Sequence, residues 1–380
     1  MRLAFVLYKY FPFGGMQRDF RRFVQETQQR GHHCRVYCIS WQGEPIADVD
    51  LRVVPSTAVS HHRRNARFQC WIESDLLADP VDGVIGFNKM PGLNVYYAAD
   101  SCYLNKAFTE RNWLYRLGAR FRHFSAYERA VFGRESNTEI LLISATEKLK
   151  FERYYQTPEA RMHMLPPGIS QDRRAPPDAP NRRQRVRDSL NLVAGDHVLL
   201  FIGSGFIKKG LDRAILSVAH LRATRPEQRV RLLIVGQDKA RRFQRLAKRL
   251  GVVDAVIFLG GRTDVPDLLL AADALIHPAL DEAAGIVLLE ALVAGLPVLV
   301  TDVCGYAHHI DAAGAGLVLD SPFHQWRLDA AVTQSLDSKF LADCKAGGLA
   351  YAEREDLYSM HRTGAAMIEQ LVEHQCKAIS

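Results

Sequence analysis

Two glutamates in the second half of the chain, Glu282 and Glu290, are separated by a run of small residues and the start of an apolar helical pattern. Small residues let backbone N–H groups at a helix N-terminus approach a ligand closely, and that end of a helix carries positive partial charge. Glu282 could accept hydrogen bonds from sugar hydroxyls. Glu290 lies inside the apolar run Ile286–Ala294, so its carboxylate needs a partner. That partner is either a ligand diol, such as a ribose, or a cation in a core salt bridge.

A glycine-rich segment, Gly203–Gly210, carries Lys208 and Lys209 directly before a predicted helix. Its last glycine comes too late for the dinucleotide-binding pattern GxGxxG, and Leu211 after that glycine excludes a P-loop. A strand-to-helix turn with two ammonium groups and free backbone amides can bind a diphosphate. The alternative is a tight turn with two solvated lysines.

Two patterns invite a metal assignment. Asp48-Val-Asp50 matches the acidic pattern of metal-dependent sugar transferases of a different fold, but so short a pattern recurs by chance, and it precedes a predicted strand at Leu51–Val54. Doubled histidines occur at His32/His33, His61/His62 and His308/His309. Adjacent residues point to different faces, and no third ligand stands at helical spacing. We therefore predict no metal site and surface or structural roles for these histidines.

Short apolar runs alternate with helical patterns along both halves of the chain. The runs are Leu3–Tyr8, Arg35–Ile39, Val81–Phe87, Ile140–Ser144 and His163–Pro166, then His197–Ile202, Arg231–Val235, Ala255–Leu259, Ala274–His277 and Pro297–Thr301. Several are unbroken, which is typical of strands buried on both faces of a parallel sheet. The alternation predicts an α/β protein with two Rossmann-like domains facing across a cleft.

The segment Ser170–Arg187 separates the two halves. It is rich in Pro, Arg and Asp, and Pro176, Pro177 and Pro180 do not suit a helix interior. We interpret it as the interdomain linker. The predicted domains are therefore residues 1–169 and 170–354.

The overall composition excludes several protein classes. The chain has 380 residues, of which 48% are hydrophobic and 24% charged, so it can form ordinary globular cores. Seven scattered cysteines without a CxxC pair fit a reducing cytosol. No run reaches the ~18 apolar residues of a spanning helix, and the N-terminal apolar stretch is too short for a signal peptide. These features predict a cytoplasmic protein.

Positive charge is concentrated in the first part of the chain. The net charge is +7, and residues 1–168 contain 23 Lys and Arg against 17 Asp and Glu, whereas the remainder contains 26 against 25. This imbalance predicts an anionic partner for the first part. A nucleic-acid-binding protein is the alternative. The positive residues are not arranged on a recognised nucleic-acid motif, so no nucleic acid is expected as a partner.

A basic stretch with aromatic residues, Tyr103–Phe132, falls within that first part. Trp113, Leu117, Phe121 and Phe124 recur in it at helical spacing. The pattern predicts binding to an anionic membrane surface. The predicted membrane-binding residues are Lys106, Arg111, Trp113, Arg116, Arg120 and Arg122. The alternative is a core helix with a solvated basic face.

The motifs together resemble family 4 of the retaining glycosyltransferases, which have the GT-B fold. The resemblance is carried by Leu7–Asp19, Gly86–Gly92, Leu165–Gly168, Gly236–Asp238, Glu282–Ile286 and Val303–His308, so it spans nearly the whole chain. Within that family the chain is similar to glucosyltransferases that add the first glucose to the inner-core heptose of lipopolysaccharide. The first domain would then bind the acceptor and the second the nucleotide sugar. A final helix, at about 355–380, would pack back on the first domain.

The resemblance also implies roles for individual residues. The implied donor-binding residues are Gly14, Gly15, Arg173, Lys208, Lys209, Arg262, Glu282, Ala283, Ala284, Gly285, Ile286 and Glu290. Among them, Lys208, Lys209 and Arg173 would neutralise the leaving diphosphate, Arg262 would frame the uracil and Glu290 would bind the ribose. The implied catalytic residues are Lys209, Glu282 and Asp100, the last assisting the acceptor hydroxyl unless it caps a helix. One departure is Ser204, where many family members have an arginine.

The activity implied by the resemblance is transfer of glucose from UDP-glucose to an inner-core heptose through an α1,3 linkage. The anomeric configuration would be retained by front-face attack of the acceptor hydroxyl, without a carboxylate nucleophile, metal or other cofactor. The expected partners are UDP-glucose, the lipopolysaccharide acceptor and the anionic inner-membrane surface. The expected location is the cytoplasmic face of the inner membrane of a Gram-negative bacterium. Another UDP-hexose as donor, or a UDP-sugar epimerase of the same fold, are the alternatives.

Overall fold

The structure, a computed structural model, describes residues 1–12, 14–54, 58 and 60–379. Residue 13, within the Leu7–Asp19 motif, lies outside the described residues. The chain forms two compact units. Unit 1 comprises Met1–Gly168 with Ser359–Ser380, and unit 2 comprises Ile169–Tyr358. The first division thus lies one residue before the predicted boundary, and the second lies four residues after it.

The secondary-structure elements are numbered in chain order. The strands are β1 (Arg2–Val6), β2 (Lys9–Tyr10), β3 (His33–Cys38), β4 (Ser40–Trp41), β5 (Val49–Val53), β6 (Gly83–Gly86), β7 (Val95–Ala98), β8 (Glu139–Leu142), β9 (Met162–Met164), β10 (Asp196–Ile202), β11 (Arg229–Val235), β12 (Val256–Gly260), β13 (Ala274–His277), β14 (Val298–Thr301) and β15 (Gly316–Leu319). The helices are α1 (Gly15–Gln29), α2 (His61–Ala78), α3 (Tyr103–Thr109), α4 (Ala119–Phe132), α5 (Ala145–Tyr155), α6 (Ala179–Ser189), α7 (Leu211–Thr224), α8 (Arg241–Arg249), α9 (Val265–Ala271), α10 (Ile286–Val293), α11 (Ala307–Ala313), α12 (Gln325–Gln334), α13 (Ser338–Arg354) and α14 (Met360–Ile379). Short 3-10 helices span Trp113–Leu117, Glu159–Arg161 and Gln171–Arg173.

Unit 1 is built on a parallel sheet with the strand order β5-β3-β1-β6-β7-β8-β9. The C-terminal helix α14 belongs to this unit and packs against α1. Val372 of α14 lies against Gly83 of β6, where a Cβ atom would come within 2.6 Å of a valine methyl. Gln375 accepts a hydrogen bond from the Asn94 amide at 2.8 Å. The end of the chain therefore completes the packing of the first sheet.

Unit 2 contains a second parallel sheet with the strand order β12-β11-β10-β13-β14-β15. Alternate residues of β10 belong to different hydrophobic clusters: Val198 and Leu200 to one, Leu199 and Phe201 to the other. Because successive side chains of a strand point to opposite faces, both faces of this sheet are covered. This burial explains why the strands of unit 2 are unbroken apolar runs in the sequence.

In each sheet the chain adds strands first on one side of the starting strand and then, after one reversal, on its other side. In unit 1 the reversal lies between β1 and β6, and in unit 2 it lies between β10 and β13. Loops leaving the carboxyl ends of two such strands diverge, and the crevice between them is where open α/β sheets bind ligands. The fold therefore provides one candidate site in each unit, and both are formed by loops that contain the motifs identified above.

The predicted linker is wrong. Residues of Ser170–Arg187 form a short 3-10 helix and then most of α6, and they belong to unit 2. Pro180 sits in the first turn of α6, where a missing N–H costs no hydrogen bond. The buried Arg187 donates to the backbone carbonyls of Ala271 and Asp196, at 3.1 and 2.7 Å. The arginine-rich composition thus reflects helix packing rather than an exposed connection.

The predicted apolar runs all coincide with strands, with ends that differ by up to two residues. Four strands were missed: Val95–Ala98 in the first sheet, Gly316–Leu319 at the edge of the second, and the two-residue strands β2 and β4, which pair with each other. Among the described residues, no helix is both long enough and apolar enough to cross a bilayer.

Candidate functional site

The glycine-rich loop after β10 delivers Lys209 to the crevice of unit 2. Gly203 has a φ of 133°, and a Cβ atom there would come within 2.5 Å of the Lys209 side chain. Glycine at this position therefore lets the lysine stem lie flat along the backbone. The loop is fixed to the neighbouring one after β13, because the Leu280 N–H donates to the Lys208 carbonyl at 2.7 Å. Both loops are consequently held in one arrangement.

The loop after β13 contains Glu282 and ends at the start of α10. It is anchored by the segment after β14: the Gly305 N–H donates to the Glu282 carbonyl at 3.2 Å, and the Tyr306 N–H donates to the Ala284 carbonyl at 2.8 Å. Gly285 adopts a φ of 84° and caps α10. As predicted, the small residues Ala283, Ala284 and Gly285 therefore precede a helix N-terminus that begins at Ile286, where free amides carry positive partial charge.

Lys209 and Glu282 form an ion pair at the centre of the crevice, between the ammonium and the carboxylate oxygen Oε2. The other carboxylate oxygen, Oε1, accepts no hydrogen bond from the described residues, and the side chain is 21% exposed. Burial raises the pKa of Glu282, but His277 and the Lys209 ammonium outweigh that effect and hold the pKa at about 2. Glu282 is therefore an anion with one oxygen available to a ligand.

His277 is a functional candidate that the sequence analysis missed. It ends β13, is fully buried, and places Nε2 at 3.7 Å from Oε2 of Glu282. Neither ring nitrogen has a hydrogen-bond partner among the described residues. Burial lowers the pKa of His277, and the neighbouring Glu282 carboxylate acts in the opposite direction. A buried polar group without a partner is costly in a core and is more typical of a functional site. The only sequence signal was a histidine at the end of an apolar strand.

Glu290 is buried in the first turns of α10, and its carboxylate accepts a hydrogen bond from a side chain of the same unit. The Arg173 Nε atom donates to its Oε1 at 3.1 Å, from the short 3-10 helix Gln171–Arg173. Both side chains are largely buried. The core salt bridge left open by the sequence therefore exists, and it joins two predicted donor-binding residues. Burial of the pair keeps one carboxylate and one guanidinium fixed beside α10.

Two other predicted donor-binding residues lie nearby in sequence but make different contacts. Lys208 is 3.5 Å from the Asp281 carboxylate and largely exposed. Arg262, in the loop after β12, pairs with Asp264 at 2.5 Å rather than with any residue named above. The loops after β10, β11 and β12 are nevertheless in contact, because the Gly236 N–H donates to Gly260 at 2.8 Å and Gly236 abuts Gly203. Arg262 thus lies at the far end of a continuous glycine-lined edge.

The crevice of unit 1 holds a cavity of about 650 Å³. Aromatic and charged side chains line it together, among them Tyr8, Lys89, Asp100, Tyr103, Arg120 and Tyr127. Gly14 caps α1 and Gly15 begins it, close to the Met16 and Gln17 side chains that also reach the cavity. The helix-cap alternative for Asp100 is wrong, because α3 begins after Cys102. Asp100 is instead exposed and lines the cavity.

A second lysine–glutamate pair lies directly beneath this cavity. The fully buried Glu128 accepts hydrogen bonds from Lys89 Nζ at 2.6 Å and from the Tyr155 hydroxyl at 2.6 Å. It also accepts from the first amides of α3, those of Tyr103 at 2.7 Å and Leu104 at 3.0 Å. Both carboxylate oxygens are therefore occupied by protein donors. Glu128 caps α3 from a different helix and fixes Lys89 at the cavity floor.

The basic stretch Tyr103–Phe132, whose aromatic residues recur at helical spacing, is not one helix. Tyr103–Phe132 is divided into α3, the 3-10 helix Trp113–Leu117 and α4. Gly118, with extended backbone, separates the last two elements. Trp113 and Leu117 are 62% and 66% exposed, whereas Phe121 and Phe124 are half-buried. Trp113, Leu117, Phe121 and Phe124 therefore do not form a single stripe. Their spacing is helical only if one helix runs through Gly118, where the chain is extended.

The exposed part of this segment still combines cationic and apolar side chains. The guanidinium of Arg116 lies 4.6 Å from the ring of Phe108, and that of Arg111 lies 5.5 Å from the ring of Tyr115. Leu114 is 56% exposed beside them. We call the segment Phe108–Arg122 the basic apolar surface of unit 1. Of the predicted membrane-binding residues, Arg111, Trp113, Arg116, Arg120 and Arg122 lie in it, and Lys106 lies on α3 at the cavity.

Residues of the two patterns that invited a metal assignment make other interactions. Asp50 pairs with Arg35 at 2.8 Å and with Arg52 at 2.9 Å, so its charge is already compensated. His309 Nδ1 contacts the Tyr351 hydroxyl at 2.7 Å, and His308 Nδ1 contacts the Gly305 carbonyl at 2.9 Å. Across the described part of the chain, no group of three or more His, Cys, Asp or Glu side chains is arranged to hold a metal ion.

Comparison with known proteins identifies relatives of the whole chain. A sequence profile of the glycosyl transferases of group 1 matches residues 182–347. The lipopolysaccharide glucosyltransferase WaaG of Escherichia coli K12 is 45% identical over 369 residues, which are 97% of this chain and 98% of that protein.

Solved structures agree with this result. A crystal structure of WaaG, described as a glycosyltransferase of lipopolysaccharide biosynthesis, superposes with a TM-score of 0.91 over 96% of this chain and 99% of that chain. HepE of Anabaena, solved in complex with UDP-glucose, superposes with a TM-score of 0.75 at 16% identity over 97% of this chain and 99% of that chain, a likeness of fold alone. The predicted GT-B fold is confirmed.

Proposed function

The chain belongs to the glycosyl transferases of group 1 and to the same family as WaaG of Escherichia coli, and we propose that it transfers glucose from UDP-glucose to an inner-core heptose of lipopolysaccharide. The observation that carries this proposal is the Lys209–Glu282 pair at the crevice of unit 2, beside the N-terminus of α10. The Lys209 ammonium and the amides at the start of α10 suit a diphosphate, and the free carboxylate oxygen of Glu282 suits a sugar hydroxyl. The family relationship supports glucose as the sugar and lipopolysaccharide as the acceptor.

In this proposal the cationic groups stabilise the departing UDP. Negative charge develops on the diphosphate as the bond to the sugar breaks, and Lys209 with the first amides of α10 can stabilise it. Lys208 adds a second ammonium on the same loop. The charge is then balanced by protein groups, so the reaction is proposed to need no metal. Activity that disappears in EDTA and returns with Mn²⁺ would contradict this part of the proposal.

Glu282 is proposed to orient the glucose. Its free Oε1 can accept a hydrogen bond from a sugar hydroxyl, and the amides of Ala283–Gly285 lie in the same loop. The buried pair Arg173–Glu290 is proposed to bind the ribose and the neighbouring phosphate, with Arg262 further along the loop edge near the base. The acceptor hydroxyl would attack from the face that the diphosphate leaves, which retains the configuration at the anomeric carbon.

The acceptor is proposed to enter the cavity of unit 1. Its volume of about 650 Å³ suits an oligosaccharide end, and aromatic rings with polar neighbours are typical of sugar sites. Asp100 stands at the wall of this cavity, where it can accept a hydrogen bond from the attacking hydroxyl. The basic apolar surface of unit 1 is proposed to hold the protein on the anionic inner membrane, at its cytoplasmic face, where a lipid-borne acceptor lies.

The test is a transfer assay with labelled UDP-glucose and heptose-terminated truncated lipopolysaccharide, carried out in EDTA. We expect label in the lipid, with the 3-position of the linkage determined by methylation analysis and its α configuration by NMR spectroscopy. If UDP-glucose stays intact, the same acceptor is offered UDP-galactose and N-acetylated UDP-hexoses, and transfer from one of these replaces glucose in the proposal. Conversion of UDP-glucose into another UDP-sugar without acceptor would instead establish an epimerase.

A further inference from the structure

Helix α8 of unit 2 presents a cluster of positive charge that the proposed function does not use. Residues 239–249 contain six cationic side chains and no Asp or Glu. The six residues are Lys239, Arg241, Arg242, Arg245, Lys248 and Arg249, and all are exposed. Phe243 and Ala247, on the opposite side of the helix, are buried in the core of unit 2. One side of α8 is therefore structural, and the other is a solvent-facing cationic surface.

The charges of α8 are not compensated within the described part of the chain, where none of the six side chains forms an ion pair. Other arginines of unit 2 are paired, such as Arg222 with Asp254 at 2.6 Å and Arg183 with Asp273 at 2.6 Å. Without these six cations, residues 169–358 would hold 18 Lys and Arg against 23 Asp and Glu. The near-neutral charge of this part of the sequence thus conceals a basic helix on an otherwise acidic unit.

An apolar groove lies beside the cationic surface. It has a volume of about 470 Å³ and is lined by Gln244, Ala247, Lys248, Val253, Val256 and Phe258. Val253 is 57% exposed, so an apolar side chain protrudes directly next to Lys248. The described structure provides nothing that covers this groove. Cations bordering an exposed apolar patch are the combination found where proteins contact lipid headgroups and the upper acyl chains.

We propose that α8 and its groove form a second contact with the anionic phospholipid surface, separate from the basic apolar surface of unit 1. A bilayer containing anionic lipids offers a plane of phosphates that attracts clustered Lys and Arg. The choice of a lipid surface rests on the proposed function, because the acceptor is a membrane lipid. A single-stranded nucleic acid fits less well, since the aromatic residue of α8, Phe243, is buried and unavailable for stacking on bases.

Two contacts on two units have a consequence for affinity. Each contact contributes its own attraction between clustered cations and anionic headgroups. The contact through unit 2 also keeps the donor-binding unit, and not just the acceptor-binding unit, at the membrane. Loss of either surface should therefore weaken vesicle binding strongly, whereas reaction with a soluble acceptor should not depend on α8.

The test compares two triple variants of the full chain that remove the same charge. Arg241→Gln/Arg245→Gln/Lys248→Gln changes one side of α8, and the control Lys339→Gln/Lys345→Gln/Arg354→Gln changes three exposed cations of α13 in the same unit. Binding is measured by sedimentation with phosphatidylcholine vesicles, with and without phosphatidylglycerol, at low and physiological salt. Thermal unfolding confirms that both variants are folded.

We expect the α8 variant to bind anionic vesicles roughly a hundredfold more weakly at low salt, as three charges lost near the surface should give, and the control to change less than about threefold. Transfer to a delipidated, soluble acceptor should be unchanged in both, so failure of the proposed function appears as a loss in the wild type itself. Equal vesicle binding by the two variants would overturn the proposal. So would unchanged vesicle binding with lost retention of single-stranded RNA, which would assign α8 to nucleic acid.

Discussion

Each unit holds a lysine–glutamate pair at its crevice, but the two pairs differ in how completely they are satisfied. Glu128 of unit 1 is fully buried, and both of its oxygens accept hydrogen bonds from protein donors. Glu282 of unit 2 is partly exposed, and its Oε1 accepts none from the described residues. A carboxylate whose bonding capacity is filled stabilises the fold, whereas one with a vacant oxygen next to a cation is prepared for a ligand.

The largest expected effect is on catalysis at the unsatisfied pair. Lys209→Met should lower kcat/KM for UDP-glucose about a thousandfold, because the charge on the departing diphosphate loses its ammonium partner. The melting temperature should fall by only a few degrees, because Glu282 loses one of the two groups that stabilise its charge. Lys208→Gln is the matched control on the same loop, and steady-state kinetics should show a loss below about tenfold. Similar losses in the two variants would remove Lys209 from its central role.

The satisfied pair should respond in the opposite way. Glu128→Ala should lower the free energy of unfolding by about 3 kcal/mol or more, because Lys89 and the first amides of α3 lose their partner in the core. Chemical denaturation measures this change, and Glu73→Gln on the surface of α2 should leave the unfolding midpoint unchanged. UDP-glucose affinity of the folded variant should be preserved. A stable Glu128 variant with abolished donor binding would break the comparison.

The depressed pKa of Glu282 predicts a pH dependence. Because its pKa falls from 4.5 to about 2 on folding, ionised Glu282 contributes stability that is fully present above pH 4.5 and lost as pH falls toward 2. The difference in unfolding free energy between wild type and Glu282→Gln should therefore be about 2 kcal/mol at pH 6 and should shrink steadily as the pH falls from 4.5 to about 2. Denaturation curves across this range test it, and a difference that stays constant with pH would contradict it.

The smallest expected effect lies beside the reacting centre. Glu290→Gln keeps the size of the side chain but removes the charge that fixes Arg173. We expect the KM for UDP-glucose to rise about tenfold while kcat changes little, since a charge-assisted hydrogen bond orients the donor without touching the bond that breaks. An unchanged KM with a large loss of kcat would instead place Glu290 in the chemical step.

The sequence predicted the local geometry around Glu282 better than that of the stretch Tyr103–Phe132, and the reason is physical. Glu282, the small residues and Glu290 are close in sequence, so local geometry determines their arrangement. Lys209 and Glu282 lie in the loops that follow the neighbouring strands β10 and β13, and this places them side by side. The motifs in these two loops had identified both residues as candidates. His277 was missed because its role depends on burial and on an absent partner, neither of which a sequence records.

Other errors also came from tertiary context. The composition of Ser170–Arg187 is typical of a linker, but Arg187 is buried and donates hydrogen bonds to backbone carbonyls, which composition cannot show. The role of Glu128 could not be predicted, since nothing in the sequence shows that it caps α3 from α4. The missed strand Gly316–Leu319 begins at a glycine and follows Gly314, and closely spaced glycines are typical of turns.

The most direct test of the distinction between the two pairs is a crystal structure of the protein with UDP-glucose bound. The account predicts the diphosphate at Lys209 and the N-terminus of α10, with a glucose hydroxyl donating to Oε1 of Glu282 and the contacts of Glu128 unchanged. Nucleotide sugar bound away from the Lys209–Glu282 pair, or a rearranged Glu128, would contradict it.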